Sequence, residues 1–426
     1  MPKTVNINVH HVTRIEGHGN IRVQASDGKV QKVEWQVPEA PRFFEAMLRG
    51  RSWQEVQTVV CRICGICSFA HSLASVQATE NALGVEVSEQ TDRLRILAFG
   101  GEQLESHVLH VGYLVTPDLL GVNSVIPLAN SHPAVVMAVV RAHRLGNEWM
   151  ELLGGRRTHP VSFRPGGFGK LPTEGELRDL KGRLEKVVPD LTLIAETVAS
   201  LADKLPPFER PTEYVALVEP GVYTFYHGMI GSTDTPDRLP IGRFEEVANE
   251  YVSPQSTAKW ARWHRPSYAV GALARFKLNH ANLHPLAAKT ARLLGLEPAC
   301  CNPYTNSLAQ VVEAVEVVEA GIEQIDDLLS RGIQNEAPRK VRPKAGTGVG
   351  AVEAPRGTLF HKYTYNDHGV CTAANVCIPT NQNHANIQKD FEALLPKVLD
   401  RSEAEIRLLL EMLVRAYDPC VSCSTH

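Results

Sequence analysis

The chain has 426 residues, 43% of them hydrophobic and 21% charged, the balance of an ordinary globular protein with material for a large core. A net charge of −3 gives no electrostatic reason for nucleic acid as a partner, and no run of about 18 apolar residues announces a membrane span. Nine cysteines, an odd number, and no secretory signal at Met1-Pro2-Lys3-Thr4 point to a reducing, cytoplasmic setting rather than a disulfide framework.

Residues 5–9 and 21–25 alternate apolar and polar side chains, and Asp27-Gly28 is a hairpin signal ahead of residues 30–35. Residues 1–37 therefore read as a β-rich amino-terminal segment, with Glu16 on the connection after the first strand. A helix is expected over 88–115, where Leu94, Leu97, Leu104, Val108, Val111 and Leu114 recur at helical spacing. Gly100-Gly101 interrupts that pattern and suits a close helix approach. Further helices are expected over 173–204, bent at Pro189, and over 307–331, 384–399 and 402–417. Residues 339–355 are rich in Pro, Gly and Lys and read as a loop, so Gly346-Thr347-Gly348-Val349-Gly350 is a weak dinucleotide signal. No repeat, low-complexity tract or clear linker divides the chain. Residues 1–426 are expected to form one unit, mainly α with peripheral β (α+β), with a central helical bundle in 38–426 and β-rich edges.

Two Cys-x-x-Cys pairs lie almost the full chain apart: Cys64 and Cys67 near the front, Cys420 and Cys423 in the last seven residues. Each pair can place two soft thiolates on one metal. Spacing alone fits a structural zinc site, a four-cysteine iron–sulfur cluster or a catalytic metal. Structural knuckles usually lie much closer together, and these flanks carry Arg62, His71, Asp418 and His426, which a purely structural site does not need.

The segments Arg62-Ile-Cys-Gly-Ile-Cys-Ser-Phe-Ala-His71 and Asp418-Pro-Cys-Val-Ser-Cys-Ser-Thr-His426 resemble the two signature motifs of the nickel–iron hydrogenase large subunit. Four more stretches match in order: Arg14-Ile-Glu-Gly-His18, Glu45-Ala-Met-Leu-Arg-Gly-Arg51, Glu353-Ala-Pro-Arg-Gly357 and Cys377-Ile-Pro-Thr380. The resemblance covers essentially the whole chain, and it implies that family's fold and the reversible heterolytic cleavage of dihydrogen. Within it, Cys64 and Cys420 correspond to terminal nickel ligands, and Cys67 and Cys423 bridge nickel to an iron carrying carbon monoxide and cyanide. Thiolates are soft and electron-donating, which suits a redox-active nickel. Glu16 corresponds to the first proton relay from a terminal cysteine. Arg356, after Pro355, corresponds to the residue over the open metal face. Thr380 is expected to donate to a cyanide, and His71 to support a bridging sulfur. Asp118 and Asp418 are expected to ring the site and pair with Arg356. Glu45, His426 and the carbonyl of Val376 match the family's magnesium site.

The remaining cysteines, Cys61, Cys300, Cys301, Cys371 and Cys377, read as packing residues, and His280, His284 and His384 as core or surface histidines. The chain has no cluster-binding motif beyond the two pairs. The resemblance therefore implies an obligate iron–sulfur small subunit. It looks most like the cytoplasmic bidirectional branch, whose flavin-bearing diaphorase subunits serve NAD(P). Alternatives are a branch linked to heterodisulfide reductase or a deazaflavin and, more remotely, a zinc-bound scaffold or a metal-free subunit like that of respiratory complex I. The family also implies maturation chaperones and a carboxyl-terminal protease that cleaves after the motif's histidine; ending at His426, the chain reads as the processed form.

Overall fold

A computed structural model describes residues 4–426. Val5–Val9, Asn20–Ser26 and Lys29–Gln36 form an antiparallel meander that buries alternate side chains. Its second turn is the expected hairpin: Asp27 (φ 54°) and Gly28 (φ 72°) both take the left-handed conformation that a tight two-residue connection requires.

The body is built on four long helices, Glu89–Leu109, Pro133–Gly154, Glu174–Leu201 and Asn306–Arg331, each packed against two of the others in a closed bundle. Trp149 fills its middle. A Cβ on Gly100 or on Gly321 would lie 2.7 Å from the Trp149 ring, so glycine on two facing helices makes room for the indole. The Gly100-Gly101 interruption is thus a packing device, as its place in the helical pattern suggested.

Local signals set the helix starts. Thr173 with Glu176, and Ser402 with Glu405, form capping boxes ahead of Glu174–Leu201 and Glu403–Ala416. The helix expected from 384 begins earlier, at Pro379–Leu394, with Pro379 in the first turn, where its missing N–H costs nothing. The helix expected over 88–115 ends as α at Leu109 and continues as a π turn, His110–Val115. Apolar periodicity does not reveal that one-residue change of winding.

The expected loop over 339–355 is the clearest correction. Gly346–Ala354 is a strand, paired antiparallel with Gly357–Tyr365, which pairs in turn with Cys371–Cys377. Gly346, Gly348 and Gly350 share one face of it. A Cβ at these positions would lie 2.1 Å from the Ala82 carbonyl oxygen, 2.2 Å from the Ala82 nitrogen and 2.0 Å from the Ala74 carbonyl oxygen. The glycines are therefore there for backbone-to-backbone contact with the helix Ser68–Leu83, along its Ala74, Ala78 and Ala82 stripe. The sheet sits inside the molecule, behind the helix that follows the first cysteine pair.

Candidate metal centre

Cys64, Cys67, Cys420 and Cys423 converge, with all four sulfurs within 4.8 Å of one another and fully enclosed. The sulfurs crowd together: Cys64 lies 3.4 Å from Cys420, Cys67 lies 3.8 Å from Cys423, and Cys420 lies 2.6 Å from Cys423. The first pair spans the turn between the helices Trp53–Val60 and Ser68–Leu83. The Ile66 and Cys67 N–H groups donate to the Cys64 sulfur at 3.3 and 3.2 Å. Glu403–Ala416 delivers the second pair. The Val421 N–H donates to the Glu16 carbonyl at 3.0 Å, which draws the amino-terminal segment onto the carboxyl-terminal one.

Burial opposes ionising the thiols and pushes Cys420 and Cys423 well above the ordinary cysteine range. Cys64 is opposed by burial too, but hydrogen bonds from its three neighbours and the Arg356 charge bring it well below that range. Burial and mutual repulsion oppose ionising the four thiols together. Ionising the rest requires a bound cation.

Around the sulfurs, Pro355 and Arg356 form the two-residue turn of the hairpin closed by Ala354 and Gly357. The Arg356 guanidinium is buried; its Nε donates to the Asp418 carbonyl at 2.7 Å and its Nη2 to Asp418 Oδ1 at 2.9 Å. Gln310 donates to the other Asp418 oxygen at 3.0 Å. Asp118 does not join this pair. It is held by Arg14 and by Arg415, whose Nε lies 2.7 Å from Asp118 Oδ2. Arg415 also donates to the Thr13 carbonyl at 3.0 Å. Asp118, just beyond the π turn, thus straps the segment leading to Glu16 onto the helix leading to Cys420. Glu16 itself accepts from both the N–H (3.1 Å) and the hydroxyl of Ser422, between the two cysteines of the second pair. Thr380 Oγ1 accepts from the Cys420 N–H at 3.0 Å, leaving its own proton to donate.

Glu45 accepts from the Val376 N–H at 2.8 Å, and its Oε1 lies 3.5 Å from His426 Nε2 and 3.7 Å from Lys259 Nζ. Burial would raise the Glu45 carboxyl, but the adjacent His426 imidazole, with Lys259 and the Val376 peptide, lowers it to about 2. His426 Nε2 is buried without a hydrogen-bond partner, so this carboxylate–imidazole pair fits a cation between them. His71 is held neutral by burial, its value lowered to about 3. Its Nδ1 meets His361 Nε2 at 3.0 Å, and its Nε2 is buried and unpaired.

Several residues that carry this architecture escape a reading by motif. Arg42 donates to the carbonyls of Ile63 (2.7 Å) and Ser422 (2.5 Å), pinning one cysteine loop to the other. Cys67 stands at the N-cap of Ser68–Leu83 but does not cap it; Glu102, from the bundle, accepts from the Phe69 and Ala70 N–H groups at 2.7 and 3.1 Å instead. His384 accepts from Trp35 Nε1 at 3.0 Å and meets Ser424 Oγ at 3.0 Å, tying the first sheet to the chain end. Cys377 packs among apolar residues, Phe244 and Phe360 included, and Cys300 and Cys301 lie partly exposed.

The family described as nickel-dependent hydrogenase matches residues 42–145 and 241–426, and a HoxL-like family matches residues 6–40. The chain is 32% identical over 428 residues to the alpha chain of sulfhydrogenase 1 from Pyrococcus furiosus, covering 99% of this chain and 97% of that one. It is 32% identical over 421 residues to the alpha chain of sulfhydrogenase 2 from the same organism, covering 99% and 98%. A chain of the F420-non-reducing hydrogenase from Methanothermobacter marburgensis is 31% identical over 460 residues, with 99% and 95% covered. Among solved structures, an NAD+-reducing NiFe-hydrogenase in the H2-reduced state superposes with a TM-score of 0.89 at 27% identity, over 99% of both chains. The chain therefore belongs to the nickel-dependent hydrogenases as a catalytic large subunit, with that family's large-subunit fold. It is an oxidoreductase acting on dihydrogen.

Proposed function

We propose that this protein cleaves dihydrogen reversibly at a nickel–iron group held by Cys64, Cys67, Cys420 and Cys423, and passes the electrons to an iron–sulfur small subunit. The observation that carries this reading is the enclosed set of four sulfurs beneath the Arg356–Asp418 pair. The donor set fits: four soft ligands that need a cation to ionise. When bound, the nickel–iron group, with carbon monoxide and cyanide on the iron, supplies the electron chemistry. By the resemblance, Cys64 and Cys420 would be the terminal ligands, and Cys67 and Cys423 would bridge.

The chain's own groups manage charge, access and protons. The Cys420 thiolate takes the proton from cleavage, and Glu16, fixed by Ser422, receives it next. Arg356 would lie over the open face of the bound group and presents a fixed positive charge there, with Pro355 shaping the turn. The free Thr380 proton is available to a cyanide nitrogen, and His71 supports the bridging sulfurs. Asp118 serves by placing Glu16. Glu45, His426 and the carbonyl of Val376 would hold a magnesium ion that keeps the terminal segment closed over the cysteines. All of residues 1–426 act as one catalytic domain.

For the electron acceptor we favour NAD(P), reached through flavin-bearing partner subunits in the cytoplasm, on the strength of the NAD+-reducing structural neighbour. No helix among the described residues is long and apolar enough to cross a membrane. The purified complex should contain nickel and iron near one each per large subunit. It should also show infrared bands of iron-bound carbon monoxide and cyanide, and reduce NAD(P)+ with dihydrogen. Zinc alone, or no such bands, would sink the metal assignment. Normal bands with no NAD(P)+ reduction would redirect the acceptor toward those of the F420-non-reducing relatives.

A further inference from the structure

Arg275, on the helix Ala272–Asn279, is wholly enclosed, and every one of its five N–H donors is used. Nε and Nη2 grip the Glu313 carboxylate at 2.7 and 2.6 Å. Nη1 donates to Glu353 Oε2 and to the Ala354 carbonyl, both at 2.9 Å, and Nη2 also donates to the Pro355 carbonyl at 2.9 Å. The two carboxylates are themselves anchored. Glu313 also meets His107 Nε2 (2.8 Å) and the Tyr223 hydroxyl (2.7 Å), while Glu353 takes the Leu217 N–H (2.7 Å) and the Thr358 hydroxyl (2.6 Å).

The two carbonyls that Arg275 holds belong to the residues immediately before Arg356. On the other side, Gly357 (φ 131°) sits so close to the chain that a Cβ would lie 2.4 Å from Val270 Cγ2 and 2.9 Å from the Gly271 nitrogen. The Arg275 N–H bonds back to the Gly271 carbonyl at 3.0 Å. The two-residue turn bearing Arg356 is therefore seated on the start of the helix that carries Arg275, and clamped to it from above.

We propose that Arg275 is the positioning residue for Arg356: its guanidinium fixes the turn, so that Arg356 reaches the sulfur cluster while bonded to Asp418. This rests on the role of Arg356 given above. Lysine cannot substitute, because a point charge with three donors does not span five acceptors in one plane.

The test uses the assembled enzyme carrying Arg275→Lys, Arg356→Lys or both, read by turnover, metal content and amide hydrogen exchange. Arg275→Lys should keep its metals, speed exchange in peptides spanning 354–358 and lower kcat by roughly 10²-fold, the cost of a small misplacement. Arg356→Lys alone should lose as much, and the double variant no more, since both act through one side chain. A purely structural Arg275 predicts losses that multiply. Multiplying losses, or unchanged exchange in Arg275→Lys, overturns the proposal. Should Arg275→Lys fail to assemble, Glu353→Gln loosens the same clamp; faster exchange at 354–358 supports the proposal and unchanged exchange refutes it. Full activity in Arg356→Lys would remove the role given to Arg356, while the exchange data still report whether Arg275 holds the turn.

Discussion

Glu16 shows how one side chain is placed for work. Its backbone carbonyl takes the Val421 N–H and its carboxylate takes two donors from Ser422, so it is fixed against the second cysteine pair from both ends. Arg14 is occupied with Asp118 and leaves Glu16 free of an ion pair with its near neighbour. Glu16→Gln preserves the shape and removes the titrating oxygen. Metal content and infrared bands should stay as they are, while dihydrogen uptake falls by about 10²-fold or more. Undiminished uptake in that variant would move the relay to another residue.

Among the elements, the strand Gly346–Ala354 and the helix Ser68–Leu83 depend on each other. A methyl at Gly348 would lie 2.2 Å from the Ala82 nitrogen and 2.3 Å from the Ala78 carbonyl oxygen, both backbone atoms that cannot turn aside. Gly348→Ala should lower stability by about 1–3 kcal/mol and disturb the first cysteine pair, which immediately precedes the same helix. Gly182, inside Glu174–Leu201, has nothing within 4 Å of such a methyl, so Gly182→Ala should raise stability by about 0.5–1 kcal/mol. Thermal unfolding of the two variants compares packing against intrinsic helix preference directly.

The helix Pro285–Leu293 carries a pH-dependent contact at its head. His284 Nδ1 meets Glu316 at 2.8 Å and its Nε2 meets Glu323 at 3.1 Å. The Glu316 hydrogen bond is the largest effect; burial opposes it, the charges of both carboxylates add to it, and the imidazole is raised from 6.5 to about 9. Because the folded value lies above the unfolded one, the stabilisation is fully present below about pH 6.5 and is lost as pH rises through about 9. His284→Gln should therefore lower the unfolding temperature near pH 6 and have little effect near pH 10, about a unit past the folded value. An equal loss at both pH values would show that the charge of His284 is not what stabilises the contact.

At the scale of the whole molecule, the site is a latch between the two ends of the chain. Arg42 bridges the two cysteine loops, His384 joins the first sheet to Ser424, and Glu45 faces His426. A metal bound only in the folded state adds its binding free energy to folding. Stripping the metals should lower the unfolding temperature and speed hydrogen exchange together at residues 42–45 and 420–426. His426→Ala, which removes no nickel ligand, should reproduce part of that loosening and reduce nickel occupancy. Full nickel and unchanged exchange in this variant would mean that His426 is not part of the latch.

Local patterning and ligand chemistry are legible in the chain without coordinates. Alternation and an Asp-Gly turn specify the first sheet, and capping boxes set the starts of two long helices. Soft ligands at fixed spacing, embedded in six ordered motifs, identify the family and nominate its cysteines, because coordination chemistry constrains residue type and order so tightly. Whatever depends on partners remote in sequence had to wait for the fold. The run Gly346-Thr347-Gly348-Val349-Gly350 looks like a loop until Ala74, Ala78 and Ala82 supply the surface that only glycine can approach. Asp118 reads in the sequence as a second partner for Arg356, until the fold places it between Arg14 and Arg415. Arg42, Glu102 and Arg275 carry no motif at all. Each satisfies backbone groups on a distant segment, and an unsatisfied carbonyl or N–H leaves no mark in a sequence until the fold has buried it.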